Sequence, residues 1–478
     1  MTSSNGDDDT GRWMDRRSVL VGSAALASGL AGCFGGDGGG GDSSPTATAT
    51  STSEPSTDVP DTPSSTTDAG TETPTPTPMP PEIDVAYTGL GGGPTRARRY
   101  LDATLPEPDP DPGVVWRRAG VGDGPDASET VRRIDGIVVR EGTVYGEWIG
   151  EDSRGVVAYD AASGDREFTT RVDPGVVEFA EGVHPSVGSG VVVIADRRRY
   201  YGVDAESGDQ RWAFEAPRGF LLDPVVDGER VICPVAPPMA TADGVIVALD
   251  PMSGEEAWDR QLVGVVGGVS AAPDGPLVVG TRGDSEGTVE LLAPDSGDSV
   301  GSVALRADET DYVPTGPPAI VGETAYVPVE ERTTAEAGGV AAVDLTARSV
   351  EYVADAPGVC VPAVGDDRFY ALGEAEPFLR SHRRSDGRLI AETRLPGGNV
   401  ATPTGHVVTG SGLAIGAADL VAVGTDIETL EWVIETRQPV DDAPIREVTG
   451  TPVPAGEGVL FGTAVDDPSA DAGVEFYR

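Results

Sequence analysis

The chain has 478 residues and a formal net charge of −45, which excludes binding to nucleic acid or to an anionic membrane face through charge. All 34 basic residues are Arg, and the acidic residues are spread along the whole chain. They repel one another unless salt screens them, and at molar salt the screening length falls to about 3 Å. The composition therefore favours adaptation to extreme salt, as in a halophile, over a specific acidic binding surface.

Residues 1–32 have the pattern of an export signal. Arg16 and Arg17 form a twin-arginine pair, which marks the Tat export route for folded proteins. The apolar run that follows is shorter than the roughly 20 residues that span a bilayer. It ends in Leu30-Ala31-Gly32-Cys33, which resembles a lipobox. We predict a lipoprotein that is cut before Cys33 and held by lipid on the extracytoplasmic face of the cell membrane; the alternative is a chance Cys after an ordinary signal peptide.

Residues 33–112 are predicted to be the lipidated Cys33 and a disordered linker. The segment is rich in Ser, Thr, Pro and Gly and has almost no large apolar groups, so burial cannot offset its ordering entropy. It is typical of a partly polyproline spacer, and O-linked sugar on it is left open. The structure of residues 82–112 is also left open, because Arg96 to Leu105 could form one or two helical turns before the Pro-rich stretch.

A hairpin motif recurs after residue 150. In it a Gly follows an Asp by four residues, and an aromatic residue follows the Gly by four more: Asp160/Gly164/Phe168, Asp204/Gly208/Trp212 and Asp250/Gly254/Trp258. The Asp side chain holds its own backbone in a turn, the Gly supplies positive φ, and the aromatic lies on one face of the next strand. Weaker copies begin at positions 293, 344, 383 and 424, with a mean spacing of 44 residues. Such a period, containing only strands, is typical of four-stranded propeller blades.

The ends of the domain complete the count. Seven turn motifs predict seven blades, and residues 459–462 and 473–477 add strands of another blade that lacks an outer strand. Residues 114–118 carry Trp116 at the outer-strand position, so they can supply it and remove an exposed sheet edge. We therefore predict an all-β fold over residues 113–478, an eight-bladed β-propeller of four-stranded antiparallel blades closed by its N- and C-terminal strands.

The Asp-Ala-x-Ser-Gly-x-x-x-Trp pattern resembles the repeat of the PQQ-like (quinoprotein alcohol dehydrogenase-like) β-propeller family. The resemblance covers residues 113–478 and is strongest in three repeats. It implies that each repeat aromatic docks between blades, beside the Gly turn of a neighbour. The structural repeat residues are then Gly164, Gly208, Gly254, Trp116, Trp212, Trp258 and Trp432, with Phe168 and Tyr352 as substitutes.

The resemblance does not extend to a cofactor. Members that bind the quinone are characterised by a pair of adjacent cysteines, a Trp floor, a calcium site and a catalytic Asp, and this sequence has no Cys-Cys pair and no matching acidic cluster. We expect no cofactor, no metal and no catalytic residue. Cys233 and Cys360 lie in apolar runs and are interpreted as small buried hydrophobes rather than as a disulfide.

Four polar residues directly precede a Pro that opens a strand: His184, Asp223, Thr402 and Thr451. In a propeller this position faces the central channel, where inner strands converge. The four residues are therefore the candidate pocket, and a solvated channel lining is the alternative.

The function predicted from the sequence is a non-catalytic binding or scaffold lipoprotein. It would be a monomer that binds the membrane through its lipid anchor and a protein or small ligand at the cell surface. The alternative is an extracytoplasmic oxidoreductase or other enzyme that uses the channel. The chain also resembles family lipoproteins that help assemble bacterial outer-membrane proteins, but that partner system needs an outer membrane, so the partner is not carried over.

Overall fold

The computed structural model describes residues 88–89, 93–106, 114–119, 131–150, 153–172, 183–217, 219–238, 242–283, 286–333, 338–356, 361–373, 378–395, 405–417, 419–434, 446–465 and 472–478. These residues form strands and turns, and no helix occurs among them. A helix apolar and long enough to cross a membrane is accordingly not found in these ranges. The signal and lipidation residues Arg16, Arg17 and Cys33 lie outside them, as do Thr402 and Cys360.

The strands are short and follow one another along the whole described chain. The first half contains β1 (Arg99–Tyr100), β2 (Val114–Ala119), β3 (Arg133–Arg140), β4 (Thr143–Ile149), β5 (Arg154–Asp160), β6 (Arg166–Val172), β7 (Ser186–Gly188), β8 (Val191–Ala195), β9 (Arg199–Asp204), β10 (Gln210–Glu215), β11 (Phe220–Leu221), β12 (Val225–Asp227), β13 (Arg230–Ala236), β14 (Gly244–Leu249), β15 (Glu256–Leu262), β16 (Val265–Ala271), β17 (Leu277–Arg282) and β18 (Gly287–Leu292).

The second half continues in the same way. It contains β19 (Ser299–Ala304), β20 (Arg306–Ala307), β21 (Thr310–Pro314), β22 (Ala319–Val321), β23 (Thr324–Glu331), β24 (Gly338–Asp344), β25 (Ser349–Asp355), β26 (Ala363–Val364), β27 (Arg368–Leu372), β28 (Phe378–Arg383), β29 (Leu389–Arg394), β30 (Gly405–Thr409), β31 (Gly412–Gly416), β32 (Leu420–Gly424), β33 (Leu430–Ile434), β34 (Arg446–Ala455), β35 (Gly458–Val465) and β36 (Gly473–Tyr477).

Neighbouring strands pair antiparallel into four-stranded units. The units are β3–β6, β7–β10, β12–β15, β16–β19, β22–β25, β26–β29 and β30–β33, and the last combines β34–β36 with β2. In each unit the first strand, called the inner strand below, lies at one side and the fourth, the outer strand, at the other. The last unit brings together strands that are far apart in the sequence, because Arg117 in β2 pairs with Glu475 in β36.

The sequence pattern explains which strands are buried. The middle strand β14, Gly244–Leu249, is almost wholly buried and apolar, as expected for a strand covered on both faces. The outer strand β15, Glu256–Leu262, alternates instead: Trp258 and Leu262 are buried, Asp259 and Gln261 are exposed, and Arg260 is half-buried. Outer strands and turns therefore provide exposed positions for the acidic residues that dominate the composition.

The repeated Asp and Gly shape the turn before each outer strand. In the turn after β9, Asp204 Oδ1 accepts hydrogen bonds from the backbone N–H groups of Glu206 and Ser207, at 2.9 and 2.7 Å. The bond from Ser207 lowers the pKa of Asp204 to about 2, against the opposing effect of burial and with help from Arg211. Gly208 ends the turn with a φ of 77°, in the left-handed region where a side chain would be strained.

The repeat aromatics pack against these glycines in the next unit. A Cβ atom on Gly164 would lie 2.6 Å from the ring of Trp116, and the Trp116 indole N–H donates to the Ala161 carbonyl at 3.0 Å. The same contact joins Phe168 to Gly208, Trp212 to Gly254, Trp258 to Gly297 and Tyr352 to Gly387. Each aromatic thus fixes the position of one unit against its neighbour. Trp148 lies outside the repeat positions and is also buried, donating to the Thr170 carbonyl at 3.1 Å.

Trp432 has a different partner, because the last unit has no chain connection between β36 and β2 and so lacks the turn. Its indole N–H donates instead to the carbonyl of Pro106, at 2.9 Å. Leu105 packs in the same buried cluster as Trp432 and Tyr477. A segment that precedes β2 therefore takes the place of the missing turn.

We predict that Trp258→Ala lowers the free energy of unfolding by about 3–5 kcal/mol, the usual scale for deleting a buried large aromatic. The substitution removes both the ring against Gly297 and the hydrogen bond to Pro294. Chemical denaturation in molar salt measures the effect, and Val263→Ala, at a side chain that is 79% exposed, is the control. Equal, small losses in both variants would contradict the docking role.

Candidate functional site

The candidate site lies where the inner strands meet. Each inner strand contacts the inner strand of the next unit, in the order β3, β7, β12, β16, β22, β26, β30 and β34, and β34 also contacts β3. One edge of an inner strand pairs with its own sheet, so the other edge carries backbone N–H groups that need a partner.

Residues 93–106, here called the N-terminal segment, supply acceptors to several of these edges. Four carbonyls of the segment accept hydrogen bonds from backbone N–H groups of the sheets. The bonds run from Ala271 to Pro94 (2.8 Å), from Ile320 to Thr95 (2.8 Å), from Val364 to Ala97 (3.0 Å) and from Val408 to Arg98 (2.9 Å). Those four donors lie in or at the end of β16, β22, β26 and β30, the inner strands of successive units. The segment then forms β1, which pairs with β30 in parallel.

This geometry corrects the helical turns considered for Arg96 to Leu105. Arg96 and Arg98 have φ values of 53° and 49°, in the left-handed region, and the chain between them is extended rather than helical. Such conformations persist when surrounding contacts determine them, and here the carbonyls on both sides are hydrogen-bonded to different strands. These residues of the predicted linker therefore pack against the sheets.

Two of the predicted channel residues contact each other. Asp223 Oδ1 accepts hydrogen bonds from the backbone N–H of His184 at 2.6 Å and lies 3.2 Å from His184 Nδ1. Arg96 joins them: its Nη2 donates to the Asp223 carbonyl at 2.9 Å, and its Nη1 lies 3.7 Å from Asp223 Oδ2. Arg96 Nε donates to the Val269 carbonyl at 2.7 Å, so the guanidinium bridges two units.

The charges in this cluster decide the state of Asp223. Burial on its own raises the pKa of the Asp223 carboxyl. His184 and Arg96 together lower the pKa by more than burial raises it, so it lies below its ordinary value. Asp223 is thus ionised and balances Arg96, which is almost completely buried. The cluster is an ion-pair network that fixes the N-terminal segment.

The two predicted threonines do not join this cluster. Thr451 lies in β34 against Gly405, is buried, and its Oγ1 atom has no hydrogen-bond partner among the described residues. Thr402 lies outside the described residues, so its place in the candidate pocket stays a prediction.

A second pair, Arg98 and His406, was not expected from the sequence. Arg98 Nη1 lies 3.4 Å from His406 Nδ1 and 3.5 Å from the His406 carbonyl, and both residues are buried. Burial and, next, the Arg98 charge lower the pKa of His406 to about 3. The one available signal was a basic cluster, Arg96-Ala97-Arg98-Arg99, in an otherwise acidic chain.

A third buried cluster lies away from the N-terminal segment. Glu147 Oε1 lies 3.5 Å from Arg154 Nη1, and both side chains are almost fully buried. Burial raises the pKa of Glu147 to about 8, against the opposing charge of Arg154 and with a further rise from Asp135. Arg154 also donates to the Ala195 carbonyl of the next unit, so the pair connects β3–β6 to β7–β10.

The resemblance to the PQQ-like family raises the question of whether this centre could hold a quinone and calcium. The described residues contain no group of three or more His, Cys, Asp or Glu that could hold a metal ion. The inner edges from β16 to β30 are taken by the N-terminal segment, and the Arg96 and Arg98 side chains are buried beside them. A flat quinone resting on the inner strands does not fit this arrangement.

Comparison with known proteins identifies the fold. The family model described as PQQ_2, outer membrane protein assembly factor BamB, matches residues 152–327. BamB from Moraxella catarrhalis is similar in structure, with a TM-score of 0.53 and 15% identity over 77% of this chain and 99% of that one. No curated protein matches the sequence.

Enzymes share the same architecture. A europium-containing methanol dehydrogenase has a TM-score of 0.59 and 12% identity over 82% of this chain and 97% of that one. Quinohemoprotein alcohol dehydrogenase from Comamonas testosteroni has a TM-score of 0.60 and 14% identity, covering 83% and 81%. At such identities the similarity shows the fold alone, a PQQ-like β-propeller that serves both enzymes and BamB.

We predict that Asp223→Asn lowers stability by about 3 kcal/mol at pH 7, the low end for removing one partner of a buried ion pair. Because the folded-state pKa of Asp223 is lowered, its stabilising effect is present above the unfolded pKa of about 3.9 and is lost as the pH falls through the folded value. The difference from wild type should therefore shrink below about pH 4.

Denaturation at pH 7 and below about pH 4 measures this difference in stability. Asp259→Asn is the control, since Asp259 is exposed on β15 and should leave stability unchanged. An Asp223→Asn protein as stable as wild type at pH 7 would show that Arg96 does not depend on this carboxylate.

Proposed function

We propose that the protein is a non-catalytic binding or scaffold protein of the cell surface, whose partner is another protein. The observation that carries this proposal is the occupation of the inner-strand edges by the N-terminal segment. The position at which a small ligand would meet those strands is filled by the chain itself, which leaves the outer strands and turns for a partner. The description of the matching family, an outer membrane protein assembly factor, supports a role in binding proteins.

The proposal includes an eight-bladed propeller, closed by its terminal strands. Support comes from the four-stranded units, from the contact between β34 and β3, and from the pairing of β2 with β36. Closure by this pair joins the first strand of the predicted domain, residues 113–478, to its last strand.

The outer strands suggest where the partner binds. β29 begins with Leu389 and Ile390, β33 with Leu430 and β2 with Val114 and Val115, and all five side chains are exposed. The outer strands of three earlier units begin instead with a polar or charged residue: Arg166 of β6, Gln210 of β10 and Glu256 of β15. Among the earlier outer strands, β19 carries the exposed Val300 at its second position. Exposed aliphatic residues at the same position in three successive units fit an apolar patch on a protein partner.

Pull-down from native membranes in high salt tests this function. We expect wild type to retain a protein that Leu389→Glu with Leu430→Glu loses and that Val263→Glu, at an isolated exposed position, retains. Titration with pyrroloquinoline quinone and calcium in the same salt, followed by absorbance and calorimetry, should give no binding. Stoichiometric quinone binding, or capture that does not depend on Leu389 and Leu430, would overturn the proposal and favour an enzyme.

We further propose that the protein is a monomer exported by the Tat route through Arg16 and Arg17 and held outside the cell membrane by lipid on Cys33, in a salt-rich environment. The support is the twin-arginine pair, the lipobox-like sequence and the net charge of −45. A stable anchor requires two lipid chains, since one gives only marginal membrane binding.

Cys33→Ser should release the protein into the medium or leave the precursor uncut, because serine lacks the thiol that accepts the lipid. Fractionation with mass measurement of the N-terminus follows both outcomes, and Cys233→Ser is the control. A processed Cys33→Ser protein that still fractionates with membrane would contradict the anchor.

A further inference from the structure

Arg98 is a buried cation whose contacts are all neutral. Its exposed fraction is 4%, and a guanidinium stays charged in proteins. Among the described residues it reaches only the Nδ1 atom and the carbonyl of His406, at 3.4 and 3.5 Å, which are long for hydrogen bonds. Within the described residues its Nε atom is buried and has no hydrogen-bond partner, and no carboxylate pairs with it.

His406 does not supply the missing negative charge. Its Nε2 lies 2.9 Å from the Tyr370 carbonyl, an acceptor, and 3.3 Å from the backbone N–H of Ala363, a donor. The shorter contact is with the acceptor, so the ring proton is placed on Nε2, and Nδ1 offers a lone pair to Arg98. The pKa of about 3 keeps this ring neutral across the physiological range.

The neighbouring arginines show what Arg98 lacks. Arg96 lies beside the carboxylate of Asp223, and Arg99 donates to the carboxylate of Asp366. Leaving a buried charge unpaired is strongly unfavourable, and a neutral imidazole and a carbonyl at 3.5 Å do not compensate for it. A chain segment held by at least four backbone hydrogen bonds cannot move Arg98 into solvent without breaking them.

We propose that the Arg98 guanidinium, beside His406, binds a small monovalent anion of the size of chloride. Chloride suits the site because it is monovalent, as the single unpaired cation requires. An acidic surface of this charge also needs molar salt to screen its self-repulsion, and that salt supplies the anion. The proposal does not depend on the protein partner.

Thermal unfolding of the full mature chain tests the site when chloride replaces glutamate, a bulky monovalent anion, at constant sodium concentration. The wild-type Tm should rise with chloride and then saturate. A site with a Kd of about 10 mM raises the ratio of folded to unfolded protein about 100-fold at 1 M chloride. Arg98→Met should remove this dependence, whereas Arg99→Met, whose cation already has Asp366, should keep it.

Equal wild-type stability in the two anions, or full chloride dependence in Arg98→Met, would overturn the proposal. Greater stability in glutamate or acetate than in chloride would also overturn it, because the site would then take a carboxylate. If Arg98→Met does not fold, crystals of wild type in bromide decide the question. An anomalous peak beside Arg98 Nε supports the site, and the absence of a peak there contradicts it.

Discussion

The free backbone edges of the inner strands are the constraint on which the centre of this protein depends. A strand at the edge of a sheet carries N–H groups that must find acceptors or water. Four consecutive inner strands find them in the carbonyls of Pro94, Thr95, Ala97 and Arg98. Because one short segment must face four strands in turn, its backbone adopts left-handed conformations at Arg96 and Arg98, and both side chains become buried.

The polar groups at the centre follow from that burial. Arg96 needs a carboxylate, and Asp223, which also holds His184, provides it. Arg98 meets only neutral groups, and this asymmetry is the basis of the proposed anion site. The same segment then continues to Pro106, whose carbonyl receives the Trp432 indole in the unit that lacks a turn. The N-terminal segment therefore completes both the centre and the last junction between units.

The repeat could be read from the sequence because its determinants are local and periodic. Asp204 and Gly208 form their turn with residues at most four positions apart, and the aromatic that follows meets the next copy of the same turn. The position before a strand-opening Pro likewise pointed to His184 and Asp223. The termini could be paired from the count of strands, since one unit lacked an outer strand.

The N-terminal segment could not be predicted in this way. Its conformation is set by hydrogen bonds to strands more than 170 positions away, such as that from Ala271 to Pro94, and composition places it between Gly-rich and Pro-rich stretches that are typical of a linker. His406 follows no Pro and lies in no repeat motif. The basic cluster around Arg98 was the one signal in the sequence, and it did not indicate which residue Arg98 contacts. Fold similarity does not fill this gap, since the propellers it matches include both enzymes and BamB.

Amide hydrogen exchange at four positions tests the central claim most directly. The N–H groups of Ala271, Ile320, Val364 and Val408 should be as protected as those of the middle strands, and replacing residues 93–100 with Gly and Ser should remove protection at these four while β14 and β17 keep theirs. Rapid exchange of the four amides in the intact chain, or protection unchanged by the replacement, would contradict the account.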